Sequence, residues 1–240
     1  MNFAGNFRKL GDLDVSGFLY KIEQLGEMGW AENTARQSSF GGYHGDTESI
    51  PILSHPDGRN IDRPAADSLR ADFRDLIAPL ERLVAERHGG GYLRKVVLVR
   101  LRSGARILPH VDVGWQLPYG HRVHLAIATN EGVRFSVGGE RRFLRAGEAW
   151  EINNVRLHEV ENRGETARVH LIADWITPRL IELRRRHILA IFDDTVDVFE
   201  LLHREGRAGK IASEALLQRS RKLVDRVNEI QSALRSDDAS

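Results

Sequence analysis

"YLRKVVLVRLRSGARILPHVDV", residues 92–113, decides the fold class. It reads as two extended runs, "YLRKVVLVRLRS" and "RILPHVDV", broken at Gly104 by a turn signal. The pattern continues downstream with "HRVHLAIAT" (121–129), "VRFSV" (133–137), "RRFLR" (141–145), "AWEI" (149–152), "RLHEVEN" (156–162) and "ARVHLIADWI" (167–176). Gly138-Gly139 makes a hairpin turn between the fourth and fifth runs, and Arg163-Gly164 makes a later one. Eight short strands in about 85 residues is the spacing of a small antiparallel barrel or jelly roll. Such a double-sheet fold can enclose a cavity lined by alternate residues of each strand.

Helices flank this core. Upstream, "DVSGFLYKIEQL" (14–25) places Phe18, Ile22 and Leu25 on one helical face. "ESIPIL" (48–53) reads as a short strand that Pro51 assigns to a sheet edge. "RPAADSLRADFRDLIAPLERLVAERHGGG" (63–91) spaces Leu69, Phe73, Leu76 or Ile77, Leu80 and Val84 as a helix and stops at its glycine run. Downstream of Pro178, a long amphipathic run carries Leu180, His187, Ile188, Ile191, Val198 and Leu202, and is broken at Gly206 and Gly209. A last one carries Leu216, Leu223, Val227, Ile230 and Leu234 on one stripe, which packing on the barrel or pairing with a second copy would cover. The expected organisation is therefore an N-terminal α/β segment (1–91), a mainly β core (92–176) and a C-terminal helical pair (177–236).

Composition excludes several classes. With 240 residues and 35 basic against 34 acidic side chains, the chain can bury a substantial core and carries no strong field for nucleic acid or membrane. There is no cysteine, so a metal here must be held by His, Asp or Glu. No apolar run approaches the roughly 20 residues of a membrane span. "MNFAGNFRKLGDLD" does not read as a signal peptide, so a cytoplasmic location is expected.

The chemistry concentrates in the strands. His110 and Asp112 are two apart, so on a strand they share a face while Val111 points away. His158, on a later strand, supplies a third ligand type. Two histidines and a carboxylate make the facial triad of non-haem Fe(II) sites. His-x-Asp also arises by chance, so a polar pair at a strand end is the competing reading. Arg122 with His124, and Arg168 with His170, put polar side chains on alternate positions of otherwise apolar strands. Either the arginines face solvent or pair with Glu159 or Glu161, or they grip a dicarboxylate with two parallel hydrogen bonds. His170 reads as a residue that supports the site from behind the ligands or as a satisfied core histidine, and His121 as facing away from Arg122. Trp115, Trp150 and Trp175 read as packing residues, and Arg100 and Arg102 as a solvated face or a carboxylate site. The glycine-rich loop 38–49 is a lid or a surface connection.

In combination, His110-x-Asp112, Arg122-x-His124, "AGEAWEINN", His158 and Arg168 resemble the aspartyl/asparaginyl beta-hydroxylase family, with a layout similar to the bacterial proline cis-3-hydroxylases. The resemblance covers about residues 92–176. It implies a double-stranded β-helix, a cupin-like jelly roll, that uses Fe(II), 2-oxoglutarate and O2 to hydroxylate an amino-acid-like carbon, releasing succinate and CO2. It further implies His110, Asp112 and His158 as metal ligands, and Arg168 on the distal carboxylate of 2-oxoglutarate. Arg122 and His124 would hold the other end of that acid or the neighbouring pocket. The substrate would be a small molecule, a carrier-bound residue or a peptide. A cupin-like metalloenzyme without 2-oxoglutarate would need the triad but not Arg168. A silent acid-binding module would not need the triad.

Overall fold

The computed structural model describes residues 3, 5–31, 44–54, 70–112 and 120–187, with a few helical positions between 214 and 229. In chain order the elements are β1 (Phe7–Asp12), α1 (Ser16–Ala31), β2 (Thr47–Ser54), a 3-10 turn (Ala71–Phe73), α2 (Arg74–His88), β3 (Tyr92–Leu101), β4 (Arg106–His110), β5 (His121–Ala128), β6 (Val133–Val137), β7 (Glu140–Arg142), β8 (Glu148–Ile152), β9 (His158–Asn162) and β10 (Arg168–Ile176). A further helical stretch covers 178–187. No helix among the described residues is long and apolar enough to cross a membrane.

All eight expected core strands form, and they divide between two antiparallel sheets. The larger runs β1-β8-β5-β10-β3-β2 and the smaller β4-β9-β6-β7. This is a double-stranded β-helix. Strand alternation builds its two apolar layers. On the larger sheet, Val96 and Leu98 of β3, Val123 and Leu125 of β5, and Leu171 and Ala173 of β10 pack under α1 and α2, against Phe18, Phe73, Ile77 and Leu80. The opposite face, with Leu101, Ala126, Trp150 and Ile152, packs on Val133, Phe135 and Val160 of the smaller sheet. Arg122, His124, Arg168 and His170 have the parity of this inner face, so the strands aim them between the sheets.

The differences from the sequence reading have local causes. β1 was not expected. Its alternation is weak, and it is held by pairing with β8, Phe7 opposite Ile152. The first helix runs past residue 25 to Ala31, but Gly26 breaks it at φ +55° before Trp30 is buried. α2 ends where the glycine run begins, with Gly89 at φ +81° and its N–H donating to Ala85 O. Pro51 does lie on an edge strand, where no ladder hydrogen bond is lost. The fifth core strand is shorter than expected, Glu140–Arg142, because the tight Gly138-Gly139 hairpin pairs only Val137 to Phe135 with it. Strand β4 ends at His110, so Asp112 lies just beyond it. The expected stripes on 188–236, Leu69, and the loop residues 38–43 lie outside the described residues.

Phe73 is fully buried and its ring lies 6.3 Å from that of Phe18, so it ties α2 to α1 over the sheet. Phe73→Ala is expected to cost about 3–5 kcal/mol of stability, read as a lower urea midpoint with an unchanged slope.

Candidate metal centre

His110 stands at the end of β4 and His158 at the start of β9, and the two are directly paired across the smaller sheet. Directly opposed residues of antiparallel strands share a face at close range, and these rings lie 4.2 Å apart between centroids. Asp112 reaches the same point from the segment after β4. Its N–H donates to Asn154 O at 3.1 Å, which pins it beside the β8–β9 connection. The ligand atoms of His110, Asp112 and His158 all lie within 4.8 Å of one another.

The donor set suits a divalent ion. His110 Nδ1 lies 2.8 Å from Leu108 O and His158 Nδ1 lies 2.9 Å from Arg156 O. A carbonyl can only accept, so each Nδ1 carries the proton and each lone pair sits on Nε2, the form a ligating imidazole needs. His110 Nε2 faces Asp112 Oδ1 at 3.8 Å. The other oxygen, Oδ2, is held by Asn154 Nδ2 at 3.1 Å and by the Arg122 guanidinium. Burial would raise the Asp112 carboxyl, but Arg122, the two histidines and the Asn154 hydrogen bond hold it well below the usual carboxylate range. Burial pushes His158 down to about 4, so it is neutral near pH 7.

Behind the triad lies a charged interior. Arg122 of β5 is directly paired with Asp174 of β10 and chelates it, Nε to Oδ1 at 2.8 Å and Nη2 to Oδ2 at 3.0 Å. Its third donor goes to Asp112. The guanidinium therefore links two carboxylates, rather than pairing with Glu159 or Glu161. Among the described residues Arg168 is the largest fully buried side chain, with Nη2 2.6 Å from His170 Nδ1 and its guanidinium carbon 5.8 Å from the Phe135 ring centre. His124 lies between these groups. Its ring is 5.3 Å from Phe135 and its Nδ1 is 3.4 Å from His170 Nδ1. Burial and the neighbouring Arg168 hold both His124 and His170 well below the ordinary histidine range, so both are neutral. His170 is not among the grouped metal-ligand atoms.

Three residues of the site escaped the sequence reading. Asp174 shares a face with Arg168 six positions earlier, a signal that was legible. Asn154 sits inside "AGEAWEINN" and is fully buried. His44, just before β2, turns its ring edge-on to His110 at 4.6 Å, and nothing in its local pattern announces that.

Other candidates settle elsewhere. Trp150 and Trp175 are buried packing residues, and Trp115 lies outside the described residues. Arg100 is buried on the helix-covered face, over Trp30, and bonds Glu27 and Glu48, as does the exposed Arg102. Burial opposes ionisation of Glu48, but the two guanidiniums outweigh it and hold Glu48 at about 2. A depressed carboxylate stabilises the fold above its unfolded pKa and loses that contribution as pH falls toward the folded one. Glu48→Gln should therefore cost roughly 1–3 kcal/mol at neutral pH. The gap from wild type should close between pH 5 and about 2, as followed by urea unfolding across pH.

Residues 66–178 match the family described as Aspartyl/Asparaginyl beta-hydroxylase. No curated protein matches the chain. Among solved structures, the prolyl hydroxylase in complex with a hypoxia inducible factor oxygen degradation domain peptide fragment from Trichoplax adhaerens aligns at TM-score 0.51 and 13% identity, over 73% of this chain and 85% of that one. An oxidoreductase of the 2OG-Fe(II) oxygenase family from Burkholderia pseudomallei aligns at TM-score 0.49 and 17% identity, over 71% of this chain and 85% of that one. At such identities the first likeness is one of fold.

Proposed function

We propose, for a chain that belongs through residues 66–178 to the aspartyl/asparaginyl beta-hydroxylase family, the activity of an Fe(II)- and 2-oxoglutarate-dependent dioxygenase. It hydroxylates an unactivated carbon of an amino acid, free, carrier-bound or within a peptide. The observation that carries this reading is the convergence of His110, Asp112 and His158 around one point, both imidazoles presenting Nε2.

His110, Asp112 and His158 would hold the iron, a ligand set that leaves positions for the acid and O2. When bound, iron and 2-oxoglutarate supply the oxidation: one oxygen atom leaves in succinate as CO2 is lost, and the other enters a substrate C–H bond. Arg122 keeps Asp112 ionised and turned toward the histidines, and Asp174 keeps Arg122 in place. Arg168, positioned by His170, would grip the far carboxylate of 2-oxoglutarate. A guanidinium recognises that group in a planar, two-bond geometry that an ammonium cannot match. Neutral His124 and the Phe135 ring stand beside Arg168. Burial between the sheets strengthens each of these charge interactions.

The experiment is anaerobic mixing of the metal-free chain with Fe(II) and 2-oxoglutarate, then an amino-acid and peptide screen for succinate release. A visible charge-transfer band before any substrate is added, followed by substrate-stimulated succinate, is the expected result. Absence of both the band and succinate would remove the reading.

A further inference from the structure

We propose that the candidate site selects a substrate with an aliphatic side chain, like that of valine, leucine or proline, over one bearing a carboxylate or carboxamide. Val97, Val99, Ile172 and Ser49 make the selection. The proposal rests on the dioxygenase reading of the same site. Its basis is the inner face of the larger sheet, where two cross-strand rows run side by side. His124, Ile172, Val97 and Pro51 form one row, and Ala126, His170, Val99 and Ser49 form the other. Directly opposed residues share a face, so these four side chains point the same way as His124 and His170. Along β10, Ile172 stands about 7 Å from Asp174 on one side and from His170 on the other. Asp174 holds Arg122, which holds Asp112, and His170 holds Arg168.

Two observations point to a ligand against this wall. Val97, Val99 and Ile172 are buried in a cluster of their own, which no apolar side chain of the smaller sheet joins among the described residues. The intersheet core around Phe135 and Trp150 closes without them. Ser49 is only 2% exposed, and among the described residues no hydrogen bond reaches its hydroxyl. A buried hydroxyl without a partner costs free energy that a polar group of a ligand would recover. The wall and the triad border one space. Thr47, two residues before Ser49 on the same face, donates its hydroxyl to His44 O at 2.7 Å, and the His44 ring stands edge-on to His110.

The chemistry of the wall decides the class of side chain. A carboxylate accepts up to about four hydrogen bonds, and a carboxamide needs donors and acceptors together. Buried against two valines and an isoleucine, either would be left short of partners, and an unpaired charge there costs most of all. The nearby cations are committed. Arg122 bonds Asp112 and Asp174, and Lys95, next along the same face of β3, is paired opposite Asp174. Ser49 offers one hydroxyl, enough for a single amide N–H or carbonyl of the substrate. An aliphatic side chain needs no partner and gains from every methylene it buries.

The test is anaerobic titration of the full-length chain, loaded with Fe(II) and 2-oxoglutarate. The probes are L-valine, L-leucine, L-proline, L-aspartate and L-asparagine, each also as its N-acetyl amide. Calorimetric binding and a shift of the charge-transfer band are read together. Apolar probes should bind, and the aspartate and asparagine probes at least about tenfold more weakly. Val97→Thr puts a hydroxyl into the wall and should weaken the apolar probes about tenfold. Ile172→Val removes one methylene and should weaken them about fourfold. Binding confined to the aspartate or asparagine probes would overturn the proposal. So would apolar probes held equally well by wild type and both variants. A band that forms while no probe binds also overturns it and leaves the dioxygenase reading standing. A chain that forms no band removes that reading and this proposal with it. If Val97→Thr does not fold, Ile172→Val decides.

Discussion

Asp112→Ala will abolish substrate-dependent succinate formation, a fall of about a thousandfold or more, while the chain stays folded. The carboxylate does two things that alanine cannot. Its Oδ1 faces His110 Nε2, and its negative charge offsets that of a divalent ion. Losing even a residue that only orients a metal ligand typically costs 10–100-fold in affinity or activity, and losing a ligand costs more. The fold should survive because Arg122 keeps its two bonds to Asp174, so no guanidinium is left buried without a counter-charge. Asp112→Asn separates charge from shape: it keeps the side chain's size but loses the charge, and should fall between the two. Anaerobic iron binding and succinate yield are the readouts, with thermal unfolding as the control. A folded Asp112→Ala protein with wild-type turnover would rule out the triad.

The second large effect is expected at Arg168. Arg168→Ala should raise the apparent KM for 2-oxoglutarate by about 30-fold to several thousandfold. Truncating one partner of a buried, hydrogen-bonded charge pair costs about 2–5 kcal/mol, and 1.4 kcal/mol is a factor of ten. Because Arg168 is fully buried, alanine also leaves a void beside Phe135 and His170 and will lower stability. Arg168→Lys resolves that ambiguity: it keeps charge and most of the volume but loses the fork, and KM should still rise at least about tenfold. If both variants fold and leave KM unchanged, 2-oxoglutarate is not held here. A cupin-like chemistry without that acid would then become the better reading.

Much of the architecture was legible locally. Gly104, Gly138 and Gly139 all adopt positive φ, as their turn signals implied. Pro51 lies on an edge strand and the glycine run closes α2. β1 was not legible, because "FRKLGD" has little alternation and acquires its extended form from the exposed edge of β8. In the interior, the sequence showed that Arg122 and His124 share a face. It did not reveal that Asp174 stands directly opposite Arg122. That pairing turns the arginine from a candidate ligand-binding group into one that joins two carboxylates.

By itself the sequence determined the eight core strands and their turns, the two helices upstream of them and a metal chemistry restricted to imidazole and carboxylate. Those follow from side-chain periodicity, backbone freedom at glycine and the absence of cysteine, all properties of short segments. Only the tertiary structure decided which histidines meet. His110 faces His158 through the register of β4 on β9, while His121, one residue before Arg122, is turned through the sheet to His88 and Glu151. The physical reason is that a strand's neighbours are chosen by cross-strand hydrogen bonding, and a shift of one residue would send every one of these side chains to the other face.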